Sequence, residues 1–251
     1  RLTLGITVHR DDPQDPNNYS LWVSSSGPSM DHGVVNSSEI TRLSGTGFTT
    51  VEHIITGLPR AISNHATNSI HFGPDNRLYI AAGGNTGAGA PLNVATEFGD
   101  REEQPLAAAL LVADVFATNF DGSCANNLNI YGPAPCDVVP YVTGLRNSYD
   151  FTFHSNGELY ATDNGLGVTG AYPHSPIPHC SGLSNPSAVS QGGNNPGTQD
   201  DLLVRVIHGK YYGHPNPSRN ECVFKDGHYQ GVSPLPNYEP PMASPGRNAS
   251  A

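Results

Sequence analysis

Residues 72–81 read FGPDNRLYIA, and residues 153–162 read FHSNGELYAT. Each stretch has a strand pattern that ends in Phe, a short polar segment, and a second strand pattern that begins with Leu-Tyr. The polar segments, Pro-Asp-Asn and Ser-Asn-Gly, favour tight turns between antiparallel strands. A partial third copy, LWVS, occupies residues 21–24. The chain therefore repeats a β-hairpin, and a repeat of this kind is typical of a β-propeller.

A further short apolar segment follows each copy and extends each hairpin into a small sheet. These segments are residues 39–43, 109–114 and 201–206. Residue propensity alone would allow a helix over 109–114, but its place in the repeat predicts a strand. The two full copies begin 81 residues apart, and propeller blades usually span about 40–45 residues. We therefore expect the two hairpins to lie about two blades apart. A β-sandwich is the alternative architecture for the same pattern.

The composition agrees with short strands joined by many turns. The chain has 251 residues, of which 28 are Gly and 22 are Pro, and 14 % are charged. An average soluble domain has roughly 25 % charged residues, and helical bundles have few Gly and Pro. The net charge of −10 gives no basic footprint for nucleic acid. The longest apolar stretch, 106–113, is much shorter than the ~18 residues that cross a bilayer. We expect neither a nucleic-acid partner nor a membrane span.

Cysteine usage and glycosylation motifs favour a secreted protein. No C-x-x-C pair is present, so a thioredoxin-type site and a four-cysteine zinc site are not expected. An even number of cysteines predicts two disulfides; a 124–136 bridge would close a short loop, but the sequence leaves the pairing open. A cytosolic protein with four buried thiols is the alternative, and a zinc site at His174, His179 and Cys180 is a weaker one. The four cysteines are Cys124, Cys136, Cys180 and Cys222, and N-x-[ST] motifs begin at Asn18, Asn36 and Asn248.

Three sets of motifs resemble one known family. The first is LPRAISNH at 58–65, which leads into the hairpin at 72–81. The second is GLRN at 144–147 followed by LYATDNG at 159–165. The third is DDLL at 200–203 with GKYYGHP at 209–215. In order and approximate spacing they resemble the signatures of the glucose/sorbosone dehydrogenase family of soluble quinoprotein sugar dehydrogenases.

This resemblance implies an all-β, six-bladed propeller, of which this chain is a part. It covers about residues 40–225, whereas the family has a further blade on each side. We therefore expect residues 1–251 to form a single partial propeller domain, with a Pro- and Ser-rich loop or tail at 232–251. Further chain segments or a partner would complete the propeller.

The resemblance also implies a reaction, in which a sugar hydroxyl is oxidised and a hydride passes to pyrroloquinoline quinone (PQQ) held on calcium. His65 matches the base that takes the hydroxyl proton. Arg146 and Asn147 match residues that face the cofactor. The backbone carbonyls of Gly165 and Leu166 match calcium ligands, and the carboxylate of Asp163 is an additional candidate ligand. Two neighbouring carboxylates, Asp200 and Asp201, are expected to be solvated.

The sequence departs from the family at the group that orients the base. Bacterial glucose dehydrogenases carry an aspartate after the Leu-Tyr strand, where this chain has Gly83-Gly84-Asn85, and another where it has Asn64. The basic residues that hold the cofactor's carboxylates near the end of the family domain have no counterpart. The rival hypothesis is therefore a non-catalytic extracellular structural or carbohydrate-binding propeller, and a lactonase-type hydrolase with a central calcium is a third.

Overall fold

In the computed structural model the chain folds as an all-β protein. The residues that it describes are 2–27, 36–62, 65–91, 98, 101–124, 132, 134, 136–166, 170–173, 179–180, 183 and 199–246. These residues contain no α-helix, and so none that could cross a membrane. The strands are β1 (Leu2–Arg10), β2 (Tyr19–Ser26), β3 (Ser38–Ser44), β4 (Thr50–Leu58), β5 (Thr67–Phe72), β6 (Leu78–Ala82), β7 (Ala109–Ala113), β8 (Val138–Thr143), β9 (Ser148–Phe153), β10 (Leu159–Asp163), β11 (Asp201–Val206) and β12 (Ala243–Gly246).

The strands form three four-stranded antiparallel sheets, each built from four strands consecutive in the chain. Strand β1 packs beside β5, and β5 packs beside β9. The first strands of successive sheets are therefore neighbours, as expected for consecutive blades around a common axis. The prediction of a partial β-propeller is confirmed.

Both repeated hairpins form as predicted, β5–β6 and β9–β10. Their turns place Asn76 and Gly157 at matching positions with positive φ, 61° and 87°, which Asn and Gly tolerate best. The predicted spacing is wrong, because the hairpins lie in adjacent blades rather than two blades apart. Long connections at 83–108 and 114–137 lengthen the second blade, which extends from 67 to 143.

The middle sheet is buried on both faces, which explains its continuous apolar strands. Leu78 and Ile80 pack towards the first sheet in a core with Trp22. Tyr79 and Leu110 point the other way and pack with residues of the third sheet. A strand covered on both faces loses the polar alternation of a half-exposed one. The predicted strand at 109–114 is therefore confirmed as β7.

The Pro- and Ser-rich segment at 232–251 contributes a strand where composition predicts a loop or tail. Residues Ala243–Gly246 form β12 and pair with β11 at the edge of the third sheet. Most of β12 is exposed. An edge strand of this kind depends on backbone pairing, so it leaves little hydrophobic pattern in the sequence.

Two disulfides are present, Cys124–Cys136 and Cys180–Cys222. The second one excludes Cys180 as a zinc ligand while it is intact, and His174 lies outside the described residues. Among the glycosylation motifs, Asn18 is exposed in the β1–β2 connection and Asn36 is partly buried. Asn248 lies outside the described residues.

The two disulfides should stabilise the fold unequally. They join residues 12 and 42 positions apart, and a longer loop loses more unfolded-state entropy on closure. We expect the Cys180→Ser/Cys222→Ser variant to lose about 4 kcal/mol of unfolding free energy and the Cys124→Ser/Cys136→Ser variant about 3 kcal/mol. Denaturant unfolding of the two variants measures this. The opposite order would show that native-state packing, rather than loop entropy, dominates.

Candidate active site

The imidazole of His65 lies buried in the connection between β4 and β5. Its Nδ1 is 2.8 Å from the backbone carbonyl oxygen of Gly84. A carbonyl oxygen can only accept a hydrogen bond, so Nδ1 carries the proton in the neutral ring. Nε2 is then left as a proton acceptor. Gly84 belongs to the Gly83-Gly84-Asn85 stretch where the resemblance implies an orienting aspartate, and in this chain a backbone carbonyl contacts the ring there.

Close packing around Gly83 and Gly84 holds His65 beside the second signature. The Gly84 N–H donates to the carbonyl of Arg146 at 2.7 Å. A Cβ atom on Gly83 would lie 2.7 Å from both the Cβ of His65 and Oδ1 of Asn147. A side chain at residue 83 would therefore separate His65 from the Arg146-Asn147 segment.

The guanidinium of Arg146 is held from several directions in the connection between β8 and β9. Its Nε donates to the Gly87 carbonyl and its Nη1 to the Gly165 carbonyl, both at 3.1 Å. Its Cζ lies 5.6 Å from the ring centroid of Phe98, and the same ring is 4.8 Å from the imidazole of His65. Phe98 thus contacts both predicted catalytic side chains.

Asp163, at the end of β10, fixes the backbone of the second signature. Its carboxylate accepts the N–H groups of Arg146 at 3.0 Å and of Asn147 at 2.8 Å. Burial raises the pKa of Asp163 to about 6, in spite of these two hydrogen bonds. Since each carboxylate oxygen accepts one of these N–H groups, Asp163 holds the backbone of residues 146 and 147 in place.

The other predicted binding residues already have partners within the protein. The amide of Asn147 donates to Oδ1 of Asn164 at 3.0 Å and accepts from Asn68 at 2.9 Å. The Gly165 carbonyl accepts from Arg146, and the Leu166 carbonyl accepts from the N–H of Gln199 at 2.7 Å. Each carbonyl oxygen keeps a second lone pair for a further donor or a cation.

Asp201 differs from its predicted solvated state. It is buried and accepts the Gly165 N–H at 2.9 Å, because it begins β11 directly beside the end of β10. Asp200, one residue earlier, is exposed as expected. The alternation of side chains at the start of the strand accounts for the difference.

Glu103 and His214 form a buried pair that was not among the residues predicted from the sequence. Oε1 of Glu103 lies 2.8 Å from Nε2 of His214, and both side chains are almost completely excluded from solvent. His214 belongs to the third signature, so its position was a usable signal. Glu103 stands in no recognised motif, and nothing in the sequence links it to a residue 111 positions away.

The surroundings of His65 keep its imidazole neutral. Burial and the nearby positive charge of Arg146 lower its pKa well below the ordinary value of 6.5, and His214 and Arg60 act in the same direction. The bond to Gly84 opposes these effects but does not outweigh them. At neutral pH the ring is therefore unprotonated at Nε2, and the same surroundings make it a weaker base than a free imidazole.

This low pKa predicts a pH-dependent stability that belongs to His65. The unfolded chain binds a proton at His65 below pH 6.5, whereas the folded chain resists it. The contribution of His65 to the unfolding free energy is therefore fully present above that pH. It is lost as the pH falls, with a limiting slope of about 1.4 kcal/mol per pH unit. As the pH falls from about 7.5 to about 5.5, we expect the wild type to lose unfolding free energy relative to His65→Gln, whose residue 65 has no group that titrates there. Denaturant unfolding across that range measures it, with exposed His53→Gln as control; parallel profiles for wild type and His65→Gln would contradict the prediction.

The resemblance implies two bound groups, a quinone and calcium, and the residues of the site fit them unequally. For a quinone with carboxylates, the cavity lined by Asp163, Gly165 and Tyr212 offers two cationic side chains, Arg146 and Lys225. For calcium, the donors are hard oxygens, which is the right chemistry, but the Gly165 and Leu166 carbonyls and Asp163 are fewer than the 6–8 oxygens that calcium takes. Among the described residues, no cluster of three or more His, Cys, Asp or Glu forms a metal site. The residues therefore suit the quinone, whereas calcium would need oxygens from elsewhere.

The fold defined by these blades is that of the soluble sugar dehydrogenases, and the predicted resemblance is confirmed at the level of fold. A putative oxidoreductase (glucose dehydrogenase) from Thermus thermophilus superposes with a TM-score of 0.54 at 19 % identity, covering 96 % of this chain and 56 % of its own. The PQQ-bound aldose sugar dehydrogenase from Streptomyces coelicolor gives 0.51 at 17 %, with 97 % and 53 % covered. The chain thus spans about half the length of these structures. No protein-family profile and no curated protein matches it.

Proposed function

We propose that this chain carries the catalytic base of a secreted sugar dehydrogenase that oxidises a sugar hydroxyl with PQQ as the acceptor. The observation that carries the proposal is the pairing of a neutral, tautomer-fixed His65 with a permanently charged Arg146 across the ring of Phe98. Alcohol oxidation needs both a proton acceptor and a cation beside the acceptor of the hydride. The PQQ-bound Streptomyces neighbour supports the choice of acceptor.

In this proposal His65 takes the proton of the sugar hydroxyl at Nε2. Its Nδ1 stays protonated because it donates to Gly84, so the ring presents its lone pair in one direction only. The bound quinone would supply the two-electron acceptor for the hydride that leaves the sugar carbon. The proton and the hydride together leave a carbonyl group on the sugar.

Arg146 would stabilise the negative charge that develops on the acceptor. Its contacts with Gly87 and Gly165 use Nε and Nη1, and the guanidinium carries five N–H donors in all. Because the protein holds the group in place before the reaction, little reorganisation is needed when the charge appears.

Calcium and secretion are also part of the proposal. The Gly165 and Leu166 carbonyls would hold calcium, which would need further oxygen ligands to reach its usual coordination number. Two disulfides agree with an oxidising compartment, and exposed Asn18 would be a glycosylation site.

Calorimetric titration with PQQ, with and without calcium, tests this function on the full-length protein. We expect saturable binding that weakens at least tenfold in Arg146→Ala, which corresponds to about 1.4 kcal/mol. Arg205→Ala is the matched control, because Arg205 is an exposed arginine on β11. Absence of PQQ binding by the full-length protein would overturn the proposal and favour a non-catalytic propeller.

A further inference from the structure

The loop that follows β6, residues 83–89, touches both predicted catalytic residues through its backbone. The Gly84 carbonyl accepts from Nδ1 of His65, and the Gly87 carbonyl accepts from Nε of Arg146. The loop reads GGNTGAG, and glycine has little intrinsic preference for one backbone conformation. Some group outside the loop must therefore hold the two carbonyls in place.

The carboxylate of Glu103 accepts three hydrogen bonds from this loop. Its Oε2 accepts the N–H of Asn85 at 2.9 Å. Its Oε1 accepts the N–H of Thr86 at 2.9 Å, the Thr86 hydroxyl at 2.6 Å and Nε2 of His214 at 2.8 Å. The Asn85 N–H and the Gly84 carbonyl belong to the same peptide group, so Glu103 binds directly the peptide whose carbonyl orients His65.

His214 connects the same carboxylate to the segment of Arg146. The backbone N–H of His214 donates to the carbonyl of Gly144 at 2.8 Å, and Gly144 lies two residues before Arg146. Because Nε2 faces a carboxylate, it carries a proton, as in other carboxylate–histidine pairs. Glu103 is therefore bonded at once to the loop that orients the base and to the element that carries the arginine.

We propose that Glu103 is a positioning residue for His65, acting through Thr86 and the Gly84 carbonyl. The sequence lacks an orienting carboxylate in direct contact with His65, and Glu103 fills that role through the intervening backbone of residues 84–86. This inference rests on the proposed function insofar as His65 is the base, but the geometry that it describes holds without any cofactor.

The ionised form of Glu103 is the one that fits these contacts. Burial by itself would raise the pKa of the carboxyl group, but hydrogen bonds from His214, Thr86 and Asn85 outweigh burial and leave the pKa below its ordinary value. Four donors converge on the two oxygens, so a neutral side chain with an N–H of its own would meet a donor. In Glu103→Gln, the amide oxygen can replace Oε1, but the NH₂ group then faces the N–H of Asn85.

The tautomer of His65 is the direct readout. Nitrogen-15 NMR of histidine-labelled protein distinguishes protonated from unprotonated ring nitrogens, and the spectrum of His65→Gln identifies the His65 signals. We expect a single Nδ1–H tautomer in the wild type and a mixture of both tautomers in Glu103→Gln. Turnover in the quinone-loaded form should fall about tenfold to a hundredfold, as for other small displacements of catalytic groups.

Two further variants keep the test decisive. Thr86→Val removes the hydroxyl contact without changing the charge, and it replaces Glu103→Gln if that variant does not fold. Gln230→Ala is the control, because Gln230 is buried and its side chain makes three hydrogen bonds, to Phe224, Pro173 and Cys222, outside residues 83–89.

The outcomes separate this inference from the proposed function. An unchanged tautomer in folded Glu103→Gln, or in Thr86→Val when that variant takes its place, overturns it, and so does an equal change in Gln230→Ala. A tautomer that changes only in the Glu103 and Thr86 variants supports it. That result stands even if the wild type binds no PQQ, which would overturn the function alone.

Discussion

Replacing His65 with glutamine is expected to lower the turnover of the quinone-loaded protein by about two to four orders of magnitude. Glutamine can still donate a hydrogen bond towards Gly84, but it has no group that accepts a proton at neutral pH. Since the sugar carbon cannot readily release its hydride while the hydroxyl keeps its proton, the chemical step should slow. Steady-state oxidation of a sugar with an artificial electron acceptor measures this loss.

The loss should appear in the catalytic step rather than in cofactor binding. Quinone affinity, measured by calorimetry, should change much less than turnover. His53→Gln is the matched control, because His53 is exposed on β4 and lies outside the site. Turnover in His65→Gln within about tenfold of the wild type would contradict the role of His65, because general-base catalysis contributes more than that.

Replacing Arg146 with methionine should have the second largest effect, a loss of about 10²–10³ in turnover. Methionine keeps much of the volume over Phe98 but removes the charge and the donors to Gly87 and Gly165. The turnover of Arg146→Lys should lie between those of the wild type and Arg146→Met, since lysine restores the positive charge but not the planar guanidinium with its several donors.

This series also separates chemistry from structure. If Arg146 only ties the two loops together, Arg146→Met should lose stability while bound quinone keeps its affinity. If it faces the acceptor, Arg146→Lys should recover part of the affinity that Arg146→Met loses. Arg205→Met, an exposed change of the same kind, should alter neither.

The sequence predicts the blades well because hairpins are local. The turn at Asn76 and the Leu-Tyr strand start lie within a few residues of each other, so their pattern survives in one sequence. Blade spacing is not local in this sense, since it depends on how much chain lies in connections such as 83–108. Nor does a strand such as β12 leave a pattern, because its pairing uses backbone atoms.

The same distinction explains what the sequence reveals of the site. His65, Arg146 and Asp163 lie in motifs, and the structure brings them into one connected network. Their proposed roles remain predictions. Glu103 escapes detection because its partners, Thr86 and His214, come from two other parts of the chain. A buried carboxylate is recognised by its surroundings, and these exist only after folding.

The acceptor that orients His65 is a main-chain carbonyl, and this changes how the site can vary during evolution. An orienting aspartate is lost in a single codon change, whereas every residue type at position 84 would still bring a carbonyl. Selection therefore acts on the path of the loop instead of on one side chain. A Cβ at residue 84 would lie 2.9 Å from Nε2 of His214 and 3.0 Å from Oε1 of Glu103. Substitution of Gly84 is thus limited by the space beside His214 and Glu103, not by the need for a particular side chain. A larger residue at position 84 should therefore occur together with changes at positions 103 and 214.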